Sequence, residues 1–133
     1  MISLNFALAR AERKGIEKFA GEHFLPRDSI LEKIPYLRTH KDQQFLFGIY
    51  DSGEKWTVLS VCYLYASYDG QLATLRIDNE TSSVFKYYRE NDFSDNANFD
   101  DGRQIWMGSP ELSQQILNVM LMLEKIPCGT VLT

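Results

Sequence analysis

The chain has 133 residues, of which 44% are hydrophobic, 13% aromatic and 24% charged, and it carries a formal net charge of −4. That balance is the one of a single ordinary globular domain, too apolar for intrinsic disorder. No apolar run approaches the ~20 residues that a membrane helix needs.

Residues 1–44 read helically. Residues 5–20 mix good helix formers with Leu8, Ala11, Gly15 and Phe19 near helical spacing, and Gly21 marks an end. The start, Met1 to Arg10, has no positive residue ahead of its short apolar stretch, so no signal peptide is expected. After the break at His23-Phe24-Leu25-Pro26, Ser29 and Glu32 have capping-box spacing for a short helix that stops before Pro35.

From Phe45 the text becomes strand-like. Residues 45–50 form a short aromatic and β-branched run closed by Asp51-Ser52-Gly53. Residues 56–68 read as one long strand, with Trp56, Val58, Cys62 and Leu64 on one face and Leu59, Val61, Tyr63 and Tyr65 on the other. Asp69-Gly70 between apolar runs is a hairpin signal, because both turn positions want positive φ. A return strand over 71–77, a turn at Asp78-Asn79-Glu80, a strand over 83–89 and a short strand over 103–107 complete the expected sheet. The last element is a helix: Ser109 is an N-cap, Pro110 takes the first helical position, and Leu112, Ile116, Val119, Met120, Leu123 and Ile126 recur at helical spacing before Pro127 and Gly129.

The expected architecture is therefore α+β in one domain. It has a helical lead-in over 1–44, a strongly bent antiparallel meander of about five strands over 45–108, and a long amphipathic helix over 109–127 packed on the sheet.

The run from Trp56 through Tyr65, followed by Tyr68-Asp69-Gly70 and Leu75-Arg76-Ile77, resembles the early hairpins of bacterial pleckstrin-homology-like (PH/GRAM-like) domains. The helix from Ser109 to Ile126, after a short strand holding Trp106, resembles the helix that closes that family's bent sheet. The resemblance covers residues 45–126 and is one of pattern. It departs from the lipid-binding members at the first hairpin loop, Asp51 to Lys55, which is net acidic and would repel a lipid phosphate.

Phosphate-loop, dinucleotide and nucleophile-elbow motifs are absent. The two histidines, His23 and His40, have no sequence-adjacent partner that marks acid–base work. Cys62 and Cys128 form no C-x-x-C pair and are too few for a disulfide scaffold, so they read as reduced thiols of a cytoplasmic protein. No cofactor and no metal is expected.

The charge is unevenly placed. Residues 1–44 carry eight Lys and Arg against six Asp and Glu, the remainder six against twelve, so the −4 resolves into +2 and −6. The +2 is spread over mixed charges and makes no nucleic-acid stripe or membrane face. Glu90, Asp92, Asp95, Asp100 and Asp101 fall in twelve residues without a Lys or Arg. They are not a calcium loop: counted from Asp92, the sixth position is Ala97 and the twelfth Arg103, where glycine and glutamate are required. They read either as a solvated loop or as a docking surface for a basic partner.

Tyr63, Tyr65 and Tyr87, placed on strands, add an aromatic patch on the sheet face opposite the last helix. The expected function is that of a small non-catalytic protein-interaction module. Its partner is another protein, with neither nucleic acid nor membrane, and a homodimer stays open. Two alternatives stand beside it. One is an immunity protein or secretion chaperone dedicated to one cognate partner. The other is a small-ligand binder or enzyme with a pocket between sheet and last helix and His23 or His40 at its rim.

Overall fold

A computed structural model describes residues 15–128. The lead-in is less helical than its composition suggests. Helix α1 (Ile16–Ala20) and helix α2 (Ile30–Lys33) are single turns, joined by strand β1 (Phe24–Pro26) and 3-10 turns at Gly21–His23 and Arg27–Ser29, and followed by a 3-10 stretch over Pro35–His40. The part of the first expected helix before Gly15 lies outside the described residues. Ser29 does precede α2, but its hydroxyl caps nothing.

Strands β2 (Phe45–Ser52), β3 (Lys55–Ser60), β4 (Tyr63–Tyr68) and β5 (Gln71–Arg76) follow in hairpin succession. They pair with β1 in one antiparallel sheet of order β1-β2-β3-β4-β5. The α+β class and the five-stranded meander are thus observed, although the strands are not all the expected ones. The long strand over 56–68 is two, reversed at Val61 and Cys62. The Ser60 hydroxyl closes that turn by accepting from the Tyr63 amide and donating to the Tyr63 carbonyl, both at 3.0 Å. No glycine or asparagine flags the reversal, which is why it reads as unbroken strand. Asp69 and Gly70 form the expected hairpin, with φ of 51° and 83°. Gly48 is required for another reason: a Cβ there would stand 2.8 Å from the Thr57 carbonyl oxygen on β3.

The largest correction concerns residues 77–90, read as turn plus strand. They form helix α3 (Ile77–Glu90). Its buried residues Ile77, Thr81, Val84 and Tyr88 are spaced four, three and four apart, the period of a helix lying on a core. Glu80 supports the start by accepting from the Arg76 amide at 3.1 Å, in the manner of a capping box. The Thr81 hydroxyl donates to the Ile77 carbonyl at 2.7 Å.

A small hairpin of β6 (Asn96–Asn98) and β7 (Gln104–Trp106) lies against β3 and β4. It is tied down where the buried Thr57 hydroxyl donates to the Trp106 carbonyl at 2.5 Å. Helix α4 (Pro110–Leu123) begins as expected, with the Ser109 hydroxyl accepting from the Leu112 amide at 3.1 Å, and ends three residues short of Ile126. It packs against α1 and α3.

The sheet is covered on both faces. The larger core joins Leu46, Ile49, Leu59, Leu64 and Leu75 of the sheet to Val84 of α3, Ile105 of β7 and Leu112, Ile116 and Met120 of α4. The smaller core joins Phe45, Trp56, Val58 and Tyr65 to Leu25, Ile30, Ile34 and Leu37 of the lead-in. Every deeply buried side-chain polar atom among the described residues has a hydrogen-bond partner.

Cys62, in the β3–β4 turn, is bridged to Cys128 beyond α4, with their Cα atoms 5.3 Å apart and 66 residues between them in sequence. The expectation of two reduced thiols is therefore replaced. The chain leaving α4 returns to the β3–β4 turn, a proximity that spacing along the sequence does not reveal.

Candidate functional site

Of the eight side chains expected to meet a partner, the structure brings four together. Helix α3 presents Ser83, Lys86, Tyr87 and Glu90 at intervals of three, one and three residues, which places them on one face. Across from them stands the β6–β7 turn with Asn98, Phe99, Asp100, Asp101 and Arg103. Between the two lies an open groove of about 300 Å³. Glu90, Asp100 and Asp101 are exposed on it, and Tyr87 is half-buried within it.

Asp92 and Asp95 are exposed on the α3–β6 connection and do not line the groove. Tyr65 is a correction: it is only 2% exposed, part of the smaller core. Tyr63 packs beside it with ring centres 5.8 Å apart, half-buried. The expected aromatic patch on the far sheet face is closed, because residues 30–37 pack over that face. Tyr87 also belongs elsewhere, on a helix and not on a strand.

Arg103 is the organising residue of the groove. Its Nη2 donates to Glu80 Oε2 at 2.6 Å, its Nε to Asp101 Oδ2 at 2.8 Å, and its Nη1 to the Thr74 carbonyl at 3.0 Å. Its backbone amide also donates to Asp101 Oδ1 at 3.1 Å, and its guanidinium lies over the Phe99 ring at 5.1 Å. The hydrogen bond to Glu80, with the charges of Glu80 and Asp101, holds the guanidinium above the usual arginine range. Asp101 is held below the usual carboxylate range, first by the hydrogen bond from the Arg103 amide. Across the groove the Asn98 amide group donates to the Tyr87 hydroxyl at 3.3 Å.

The charge of Arg103 is thus spent internally on Glu80 and Asp101. The Glu90 and Asp100 carboxylates make no hydrogen bond or ion pair among the described residues, and they set a negative rim that, among the groove's lining residues, Lys86 offsets. The arrangement can receive a cationic group against aromatic walls. It holds no nucleophile paired with a base. Among the described residues no cluster of three or more His, Cys, Asp or Glu could hold a metal ion.

The histidines lie elsewhere. His23 Nδ1 is 3.0 Å from the Tyr50 carbonyl oxygen, with its ring edge-on to Trp106, and His40 lies 4.8 Å from the Tyr65 ring centre. Sequence reasoning missed Lys86, Arg103, Glu80, Asn98 and Phe99. The signal for the α3 side was the spacing Ser83, Lys86, Tyr87, Glu90, visible only if the segment is read as helix.

No family model, curated protein or solved structure matches this chain. No described helix is long and apolar enough to cross a membrane.

Proposed function

We propose that the chain is a non-catalytic interaction module that receives a basic segment of a partner protein in the groove between α3 and the β6–β7 turn. The observation that carries this reading is the pairing pattern of its charges. Arg103 is neutralised within the fold, while Glu90 and Asp100 stay exposed and unpaired beside Tyr87 and Phe99. Opposed potentials of this kind speed association and set specificity. A dedicated immunity protein or secretion chaperone is a narrower form of the same reading.

We also propose a pleckstrin-homology-like fold for residues 45–126. It is supported by the successive antiparallel order of the five strands and by the closing helix α4. The acidic loop between β2 and β3 favours a protein ligand over a lipid phosphate. A cytoplasmic setting loses the support the cysteines lent it, since a Cys62–Cys128 bridge persists in oxidising surroundings.

The experiment is a titration of the full chain with a Lys/Arg-rich peptide at low and at high salt. Binding that weakens with salt is expected. The double variant Glu90→Lys/Asp100→Lys should weaken it by about tenfold or more, equivalent to roughly 1.4 kcal/mol. Asp92→Lys/Asp95→Lys, which changes net charge equally outside the groove, should do much less. Equal losses from both pairs would reduce the effect to overall charge and overturn the groove.

A further inference from the structure

Strand β5 is an edge of the five-stranded sheet, and the direction of its backbone groups follows from the register. The Ile77 amide donates to the Cys62 carbonyl at 2.8 Å. Alternation along the antiparallel pair then turns Leu75, Ala73 and Gln71 toward β4, and Arg76, Thr74 and Leu72 away from the sheet. Two of the outward groups are taken by side chains. The Arg76 amide donates to Glu80 Oε1 at 3.1 Å, and the Thr74 carbonyl accepts from Arg103 Nη1 at 3.0 Å. Glu80 and Arg103 are themselves joined at 2.6 Å. One ion pair, supplied by the start of α3 and the turn before β7, thus occupies the upper part of the edge.

The rest of the edge is open. Leu72 keeps both outward backbone groups, Thr74 keeps its amide, and the Leu72 side chain is 52% exposed. This stretch is complementary to itself. A second copy laid antiparallel, with a two-fold axis at Ala73, would pair Leu72 of each chain with Thr74 of the other. Four backbone hydrogen bonds would form, and two of them need the Thr74 carbonyls that Arg103 holds. Edges left open in this way are templates for strand addition, and charged side chains placed on them oppose it. The opposite edge, β1, is three residues long and ends at Pro26, which limits it without a guard.

We propose that the Glu80–Arg103 pair is an edge guard that keeps β5 from pairing with β5 of a second copy. The test compares the mass in solution of the full chain and its variants by light scattering over a range of concentrations, with circular dichroism confirming the fold. Arg103→Ala should convert a monomer into a species of doubled mass at high concentration. Adding Thr74→Pro, which deletes the outward amide without removing a bond to β4, should restore the monomer.

Where Arg103→Ala does not fold, Arg103→Met serves. It keeps the apolar stem over Phe99 and loses every donor. A folded Arg103 variant that keeps the monomer's mass at all concentrations overturns the proposal, as does association that Thr74→Pro leaves unchanged.

Discussion

The two faces of the sheet are covered by different means. One carries α3, α4 and the β6–β7 hairpin over the larger core. The other carries the single turn α2, a 3-10 turn on either side of it and no longer element over the smaller one. The first cover is built from regular elements whose apolar residues recur with a helical period. The second follows the sheet closely but has no period of its own. With both faces filled, a partner surface is left to the rim, and the rim beside α3 is where the unpaired carboxylates stand.

Emptying each core in turn separates the two covers by the largest effect. Leu59 is fully buried under the regular cover, and Leu37 is fully buried under the irregular one. Leu59→Ala should cost about 4 kcal/mol, and Leu37→Ala, whose short segment can settle inward, about 2 kcal/mol. Denaturant midpoints measure both. Equal losses would mean the two covers are equally rigid.

Gly48 joins the faces, since the strand that carries it contributes to both cores. Gly48→Ala sets a methyl group against the backbone of β3 and should cost about 2 kcal/mol. An unchanged denaturation midpoint would show that the strands separate freely there.

Thr57→Val, nearly equal in volume, removes the tie to the Trp106 carbonyl and should cost about 1–2 kcal/mol. It should also loosen the β6–β7 hairpin in hydrogen exchange before it affects the lead-in.

A change of pH samples both faces. Burial pushes Tyr65, in the smaller core, and Tyr88, in the larger, from 10.0 up to about 12. The unfolded chain ionises these hydroxyls first, so their contribution is fully present below pH 10 and is lost as pH rises toward 12. In a tyrosinate absorbance titration, two of the seven tyrosines should ionise late. The melting temperature should begin to fall in the same window.

Those two faces also explain how far the amino-acid sequence could be read. Helix α4 was legible because its cap, its proline and its apolar period all agree. The Asp69-Gly70 hairpin was legible because its turn chemistry is specific. Residues 77–90 were misread because Val84, Phe85, Tyr87 and Tyr88 favour strands, and tertiary burial of Ile77, Thr81, Val84 and Tyr88 overrode that preference. The β3–β4 reversal was hidden because Ser60 closes it with a side chain in place of a glycine.

At the site, the carboxylates Glu90, Asp100 and Asp101 were visible as a run. Their separation from Asp92 and Asp95 was not, since it depends on α3 being a helix. Nor was the neutralisation of Asp101 by Arg103, because the clamp draws on Thr74 and Glu80, more than twenty residues away along the chain.

Closure of both faces of the sheet can be measured directly because each face holds one tryptophan. Trp56 is 2% exposed under the lead-in, and Trp106 is 5% exposed against the larger core. Collisional quenching of fluorescence in Trp106→Phe, which leaves Trp56 alone, and in Trp56→Phe, which leaves Trp106 alone, reads the two faces separately. Strong shielding of both, relative to the denatured chains, is the predicted result. A folded Trp106→Phe variant whose Trp56 is quenched as freely as in denaturant would contradict it, leaving the far face of the sheet open.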